Sequence, residues 1–177
     1  MELVVPKKDL LRLVARCQGV ADKKSAMPAL SNVLLAAEGN TLHVSATDMY
    51  LAISGSTAAE VTTAGSVALP ARELHDRVKA MPEGPIQLST TAGAQTTIKA
   101  AGSPRRFTIH GIPGADFPHL PKPDPSSPTL ALPVDLLARL IARTHFSIST
   151  DETRAHVNSA LFEWSGESVR MVTTDGH

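Results

Sequence analysis

Histidines, carboxylates and clustered basic side chains are the groups in this chain that could do chemistry, and their spacing separates catalysis from binding. The seven histidines, at positions 43, 75, 110, 119, 145, 156 and 177, are scattered, with no His-Glu-x-x-His or His-x-His pattern. Cys17 is the single cysteine, so a thiolate metal cluster and an intramolecular disulfide are both excluded. Isolated surface histidines, no metal and no cofactor are the expectation. Asp175 and His177 could pair as an orienting acid and a base, but no Gly-x-Ser-x-Gly elbow accompanies them. Gly111-Ile-Pro-Gly114 is too short and too broken by proline to cradle a phosphate at a helix N-terminus. No catalytic residue emerges, and a hydrolase built on Asp175 and His177 is the weakest of the readings.

The basic residues are more informative. The chain carries 17 Lys+Arg against 17 Asp+Glu, a net charge of zero that by itself proposes no nucleic-acid partner. Their distribution says otherwise. Lys8, Arg12 and Arg16 follow one another at i, i+4 and i+8, Arg139 and Arg143 repeat that spacing, and Arg72, Arg77 and Lys79 crowd a third helical stretch, with Lys23-Lys24 in a loop. Ordinary solvated helix faces would explain any one of these. Recurrence in every helix instead suggests a continuous positive strip. Six scattered aromatics make no stacking platform for single strands, so the ligand expected for such a strip is duplex backbone, bound through phosphates without sequence preference.

Those side chains need helices to hold them. Pro6 and Pro133 each stand where a helix starts, and Leu10, Leu13, Val14 and Cys17 recur on one apolar face. A shift of 127 residues lays the first helix over a second copy. Pro6, Leu10, Arg12, Leu13, Ala15 and Arg16 then match Pro133, Leu137, Arg139, Leu140, Ala142 and Arg143, and Leu34, Gly39 and Thr47-Asp48 meet Leu161, Gly166 and Thr174-Asp175. Each copy reads as a helix followed by a hairpin, and the paired Asp48 and Asp175 read as turn-stabilising residues. The first copy continues through strands near 51–54 and 65–69, a helix over 71–81, and strands at 86–89, 96–99 and 106–110. The fold class expected is α+β, with repeated units of two helices packed on one face of antiparallel sheet.

Seven of the thirteen prolines fall between Pro113 and Pro133, which marks a spacer. The expected organisation is a first domain over 1–120, a proline-rich linker over 121–128, and the first part of a second domain over 129–177. The second copy reaches only the equivalent of Tyr50, so the chain reads as a fragment or a half-unit whose apolar helix face would be exposed. No apolar run is long enough for a membrane span and the N-terminus does not look like a signal peptide, so a cytoplasmic protein with no membrane partner is expected.

Several stretches together resemble the bacterial DNA polymerase III beta subunit, the sliding clamp family. They are Met27-Pro-Ala-Leu-Ser-Asn-Val-Leu-Leu35, Leu42-His-Val-Ser-Ala-Thr-Asp48, Leu69-Pro-Ala-Arg-Glu-Leu74, Met81-Pro-Glu-Gly84, Ala115-Asp-Phe-Pro-His-Leu-Pro121 and Val172-Thr-Thr-Asp-Gly-His177. The resemblance implies the DNA-clamp fold, three such domains per intact chain, and a homodimeric ring that encircles duplex DNA and acts as a processivity factor in replication. It implies no enzymatic activity in this subunit, any polymerase or exonuclease belonging to partners. It places Arg12, Lys24, Arg72, Lys79 and Arg139 on the DNA-facing surface, with Lys23 and Arg77 as helpers. It puts Arg154, His156, Val157, Thr174, Gly176 and His177 in a pocket for short peptides of the polymerase III alpha subunit, the clamp loader and other clamp-binding-motif proteins. Arg106, Phe107 and Ile109 become a protomer interface. The alternative is a truncated clamp-like interaction module that does not encircle DNA.

Overall fold

Leu3 and Val5 are fully buried and alternate with half-exposed Glu2 and Val4, so Glu2–Pro6 is a strand, β1, rather than a mere apolar patch. In this computed structural model, which describes residues 1–21, 27–120, 124 and 126–177, the chain divides into two compact units, Met1–Lys122 and Pro123–His177. Of the proline-rich stretch 121–128, residues 121–123 and 125 lie outside the described residues.

The first unit is built from two halves of like design. In the first, β1 leads into a helix, α1 (Lys7–Gln18), and then β2 (Asn32–Glu38), β3 (Thr41–Thr47), β4 (Ala52–Ala58) and β5 (Glu60–Thr63). The second runs β6 (Gly65–Pro70), α2 (Ala71–Lys79), β7 (Pro85–Thr90), β8 (Gln95–Ala100), β9 (Arg106–His110) and β10 (Ile112–Pro113). Each half gives its first strand to the other half's meander. One sheet has the order β5-β1-β7-β8-β9 and the other β10-β6-β2-β3-β4, and every pairing in them is antiparallel. There are thus two five-stranded sheets where a single sheet was expected, and β1, β5 and β10 are strands that the sequence reading does not contain.

The two-fold relation is visible in the residues. A shift of 64 carries buried Leu3, Val5, Leu10, Val14 and Cys17 onto buried Val67, Leu69, Leu74, Val78 and Met81, and Pro6 onto Pro70 at the head of each helix. α1 packs on β2, β3, β4 and β1, α2 on β6 and β9, and the two helices pack on each other, so one core fills the space between the helix pair and both sheets. Lys7 is the polar element of that join. Its side chain is largely buried, and its ammonium donates to the carbonyl of Met81 at 2.7 Å and to Glu83 Oε1 at 2.7 Å, which ties the start of α1 to the turn after α2.

The second unit carries α3 (Val134–Thr144) and one hairpin, β11 (Leu161–Ser165) with β12 (Ser168–Val172). The 127-residue repeat holds here at the level of register. Glu38↔Thr41, Ala36↔His43 and Leu34↔Ser45 in the first unit become Ser165↔Ser168, Glu163↔Arg170 and Leu161↔Val172 in the second. Gly39 (φ 55) and Gly166 (φ 61) turn both hairpins in the left-handed region, where a Cβ is disfavoured. No residue of α3 is buried, and Leu137, Ile141, Phe162 and Trp164 are exposed. Their counterparts Leu10, Val14, Leu35 and Ala37 are all buried.

Because β1 is paired on both sides and its inward residues are sealed, Leu3→Ala should lower the unfolding free energy of the first unit by about 2–5 kcal/mol, the range for a buried Leu. Leu10→Ala in α1 should cost a similar amount. Urea unfolding followed by circular dichroism checks this, and a loss below about 1 kcal/mol for Leu3→Ala would show that the exchanged strand does not hold the halves together.

Candidate nucleic-acid interface

The packing of α1 against α2 leaves a shallow groove of about 420 Å³ lined by Lys7, Lys8, Leu11, Arg12, Ala15, His75, Lys79 and Glu83. Two helices supply its cations because the i, i+4 spacing of Lys8 and Arg12 puts both on the side of α1 that faces Lys79. Of the two groove lysines that the family resemblance does not name, Lys7 and Lys8, the exposed one is Lys8. Its signal was present in the sequence as the first step of the Lys8-Arg12-Arg16 series. Arg16 departs from that series and lies beside Leu13, Cys17, Ile53, Ser54 and Gly55, over β4.

The remaining arginines are distributed more widely. Arg72 stands exposed on α2, 3.9 Å from Asp76, and Arg12 lies 3.5 Å from Asp9. Such exposed pairs contribute between about 0 and 1 kcal/mol each, so both guanidinium groups can exchange their acid for another anion. Arg77 points elsewhere. Its guanidinium sits 5.0 Å over the Phe107 ring and 3.5 Å from Glu73, which places it beside edge strand β9 rather than in the groove with Arg12 and Lys79. On β9, Arg106 is exposed and Phe107 half-buried, whereas Ile109 is fully buried and offers no surface at that edge. Arg139 is exposed on α3 of the second unit, 3.9 Å from Asp135. Lys23 and Lys24 lie outside the described residues.

In the second unit, the expected pocket residues are partly gathered by a turn that both units share. Thr47 Oγ1 accepts from the Met49 amide at 3.0 Å, and Thr174 Oγ1 accepts from Gly176 at the same distance. Asp48 Oδ1 accepts from Tyr50 and Leu51 at 2.9 and 2.6 Å, and Asp175 Oδ1 accepts from His177 at 3.1 Å. Both acids therefore cap Asx turns, as the repeat implied. Met49 (φ 78) and Gly176 (φ 98) occupy the same left-handed position in the two copies. Arg154 reaches across this turn: its Nη1 donates to the Asp175 carbonyl at 3.5 Å, and a Cβ on Gly176 would lie 3.0 Å from its Nη2. Val157 is buried and its amide donates to the Arg154 carbonyl at 3.0 Å, while His156 and His177 are exposed. Among the described residues no cluster of three or more His, Cys, Asp or Glu could hold a metal ion, and no helix is long and apolar enough to cross a membrane.

The decisive observation is the match of residues 1–121 to the DNA polymerase III beta subunit, N-terminal domain, followed by residues 131–177 to the central domain of the same subunit. The chain belongs to the DNA polymerase III beta subunit family. Over its whole length it is 34% identical to the beta sliding clamp of Caulobacter vibrioides, covering 48% of that protein. The crystal structure of the DNA polymerase sliding clamp from Caulobacter crescentus superposes over all of this chain and 49% of its own, with a TM-score of 0.88 at 34% identity. A Pseudomonas aeruginosa DNA polymerase III beta subunit bound to griselimycin gives 0.90 at 32% identity, over all of this chain and 47% of its own. The chain spans about half the length of the curated relatives it matches.

The shared turn yields a test by pH. The amides of Leu51 and Tyr50 hold the Asp48 carboxyl below its ordinary value of 3.8. A depressed folded-state pKa means that the carboxylate's contribution is present above pH 3.8 and is lost as pH falls through the lower, folded value. An NMR titration should therefore place the Asp48 midpoint below 3.8, and Asp48→Asn should flatten that part of the acid-stability profile. A midpoint at or above 3.8 would show that the turn is not formed in solution.

Proposed function

We propose that this protein acts as a sliding clamp, a processivity factor that tethers the replicative DNA polymerase to duplex DNA through a ring. The observation that carries the proposal is the cationic groove between α1 and α2, formed by Lys8, Arg12 and Lys79, in a chain of the beta subunit family. A clamp must hold DNA and still slide, and exchangeable phosphate contacts from long exposed cations meet both demands. Arg72 and Arg139 extend the DNA-facing set, with Lys23 and Lys24 assigned to it by family resemblance. The subunit itself would carry no catalysis and would work in the cytoplasm.

Within this reading, residues 1–120 are the first clamp domain, 121–128 a linker and 129–177 part of the second. The turn held by Arg154, Thr174 and Gly176, with His156, Val157 and His177 nearby in sequence, is the docking place for peptides of the polymerase III alpha subunit, the clamp loader and other clamp-binding proteins. The P. aeruginosa relative's griselimycin complex supports a ligand-binding role for this family. Edge strand β9, with Arg106, Phe107 and the overlying Arg77, serves ring closure. A second reading, an interaction module that never encircles DNA, draws on the apolar residues exposed in the second unit.

Retention on DNA separates the two. Protein loaded on nicked circular plasmid should stay bound during gel filtration and be lost when the plasmid is linearised; equal retention on both would leave the interaction module. Replacing Arg12, Arg72 and Lys79 by Ala should reduce binding at low salt and make the log–log salt dependence shallower by about two to three. An unchanged slope would remove the groove from the DNA face. Arg77→Ala should leave that slope alone.

A further inference from the structure

Of the lysines and the arginine that line the groove between α1 and α2, Lys7 alone is buried: its side chain is 9% exposed, whereas Lys8, Arg12 and Lys79 are open to solvent. A buried ammonium has to be satisfied inside the protein. One turn does this. The Lys7 amide donates to the Gly84 carbonyl at 3.0 Å, and its ammonium donates to the Met81 carbonyl and to Glu83 Oε1, each at 2.7 Å. A single residue of α1 thus holds Met81-Pro-Glu-Gly84 at both ends and at its acid.

The architecture does not demand a cation at this place. In the sister half, the shift of 64 puts Ala71 there, buried at the head of α2, and the shift of 127 puts Val134 at the head of α3. Lys7 is therefore a feature of this groove rather than of the repeated design.

What the lysine controls is the acid. Glu83 is 83% exposed, yet it lines the groove among cations. Lys7, Lys8 and Glu83 also line an adjoining hollow of about 250 Å³. Among the described residues Lys8 has no ion pair, so it is the cation that a released Glu83 carboxylate would meet. A carboxylate paired with Lys8 would withdraw that lysine from phosphate, and an unpaired one would repel the DNA backbone. Solvation decides between the two lysines. The Lys7 ammonium has given up most of its water, so it gains more from a carboxylate than hydrated Lys8 does.

We propose that Lys7 is a positioning residue of this groove: it contacts no phosphate itself, and by keeping the Glu83 carboxylate against the start of α1 it leaves Lys8 free for the duplex backbone. The inference rests on the reading of the groove as a DNA face. It divides the groove's cations into three that exchange anions, Lys8, Arg12 and Lys79, and one whose charge is engaged within the protein.

The test is a double-mutant cycle on the 177-residue chain, read by binding to a short linear duplex across a range of salt. Lys7→Met should weaken binding at low salt about three- to tenfold and make the log–log salt dependence shallower by about one, the loss of one phosphate contact. Glu83→Gln alone should leave that slope unchanged, and the double variant Lys7→Met/Glu83→Gln should recover the wild-type slope. A lysine that merely supports the fold would give a loss that Glu83→Gln does not restore. A second measurement needs no substitution: in NMR of the lysine ammonium groups of the wild-type chain, added duplex should shift the Nζ signals of Lys8 and Lys79 and leave that of Lys7 in place. A slope unchanged by Lys7→Met, a double variant that binds no better than Lys7→Met, or a Lys7 signal that moves with Lys8 would overturn the proposal while leaving the groove as a DNA face. No binding by the wild-type chain at low salt would overturn the DNA face and this proposal with it.

Discussion

The antiparallel pairing of β1 with β7, and of β6 with β2, is the constraint from which the first unit follows. Each half is incomplete by itself, since its meander lacks an edge partner and its first strand has only the half's own short last strand, β5 or β10, beside it. Exchange satisfies both deficits at once, and it draws the helix after each exchanged strand to the same side. α1 and α2 must then lie against each other, and the Lys7 ammonium, bonded to the Met81 carbonyl and Glu83, fixes the point at which they join. The groove and its cations are a consequence of that pairing.

Electrostatics act on this frame without supporting it. Four arginines of α1, α2 and α3 have a carboxylate three or four residues away, as Arg12–Asp9, Arg72–Asp76, Arg77–Glu73 and Arg139–Asp135. A chain of zero net charge can thus carry basic side chains on every helix while remaining balanced. The exposed pairs are weak enough to give way to phosphate, whereas the apolar contacts beneath them, from Leu10, Leu13, Leu74 and Val78, are the ones that keep the helices in place.

Much of this was legible in the residues, for reasons that differ from element to element. α1 announced itself through Leu10, Leu13, Val14 and Cys17, all buried, and through Pro6 at its head. The hairpin repeat survived to the level of register because Gly39 and Gly166 fix the same turn and the strand period of two then fixes every pair after it. β1 was not legible. Five residues give too short a window for periodicity, and the strand's meaning lies in Pro85–Thr90, some eighty residues away. The division into two sheets was lost with it. Of the site, the cationic series showed in the spacing, but the departure of Arg77 toward Phe107 depends on where β9 meets α2, a tertiary fact that one helix's sequence does not contain.

The long span between β1 and β7 also bears on synthesis. Ribosomes add about 5–20 residues per second, so a strand made first waits roughly four to sixteen seconds for its partner to be made. During that interval Leu3, Val4 and Val5 are an apolar segment with open edges. Glu2 before them and Lys7-Lys8 after them are the flanking charges that discourage such a segment from finding another chain. The order of the exchange thus makes β1 the part of the first unit most exposed to misassembly, and its brevity a protection.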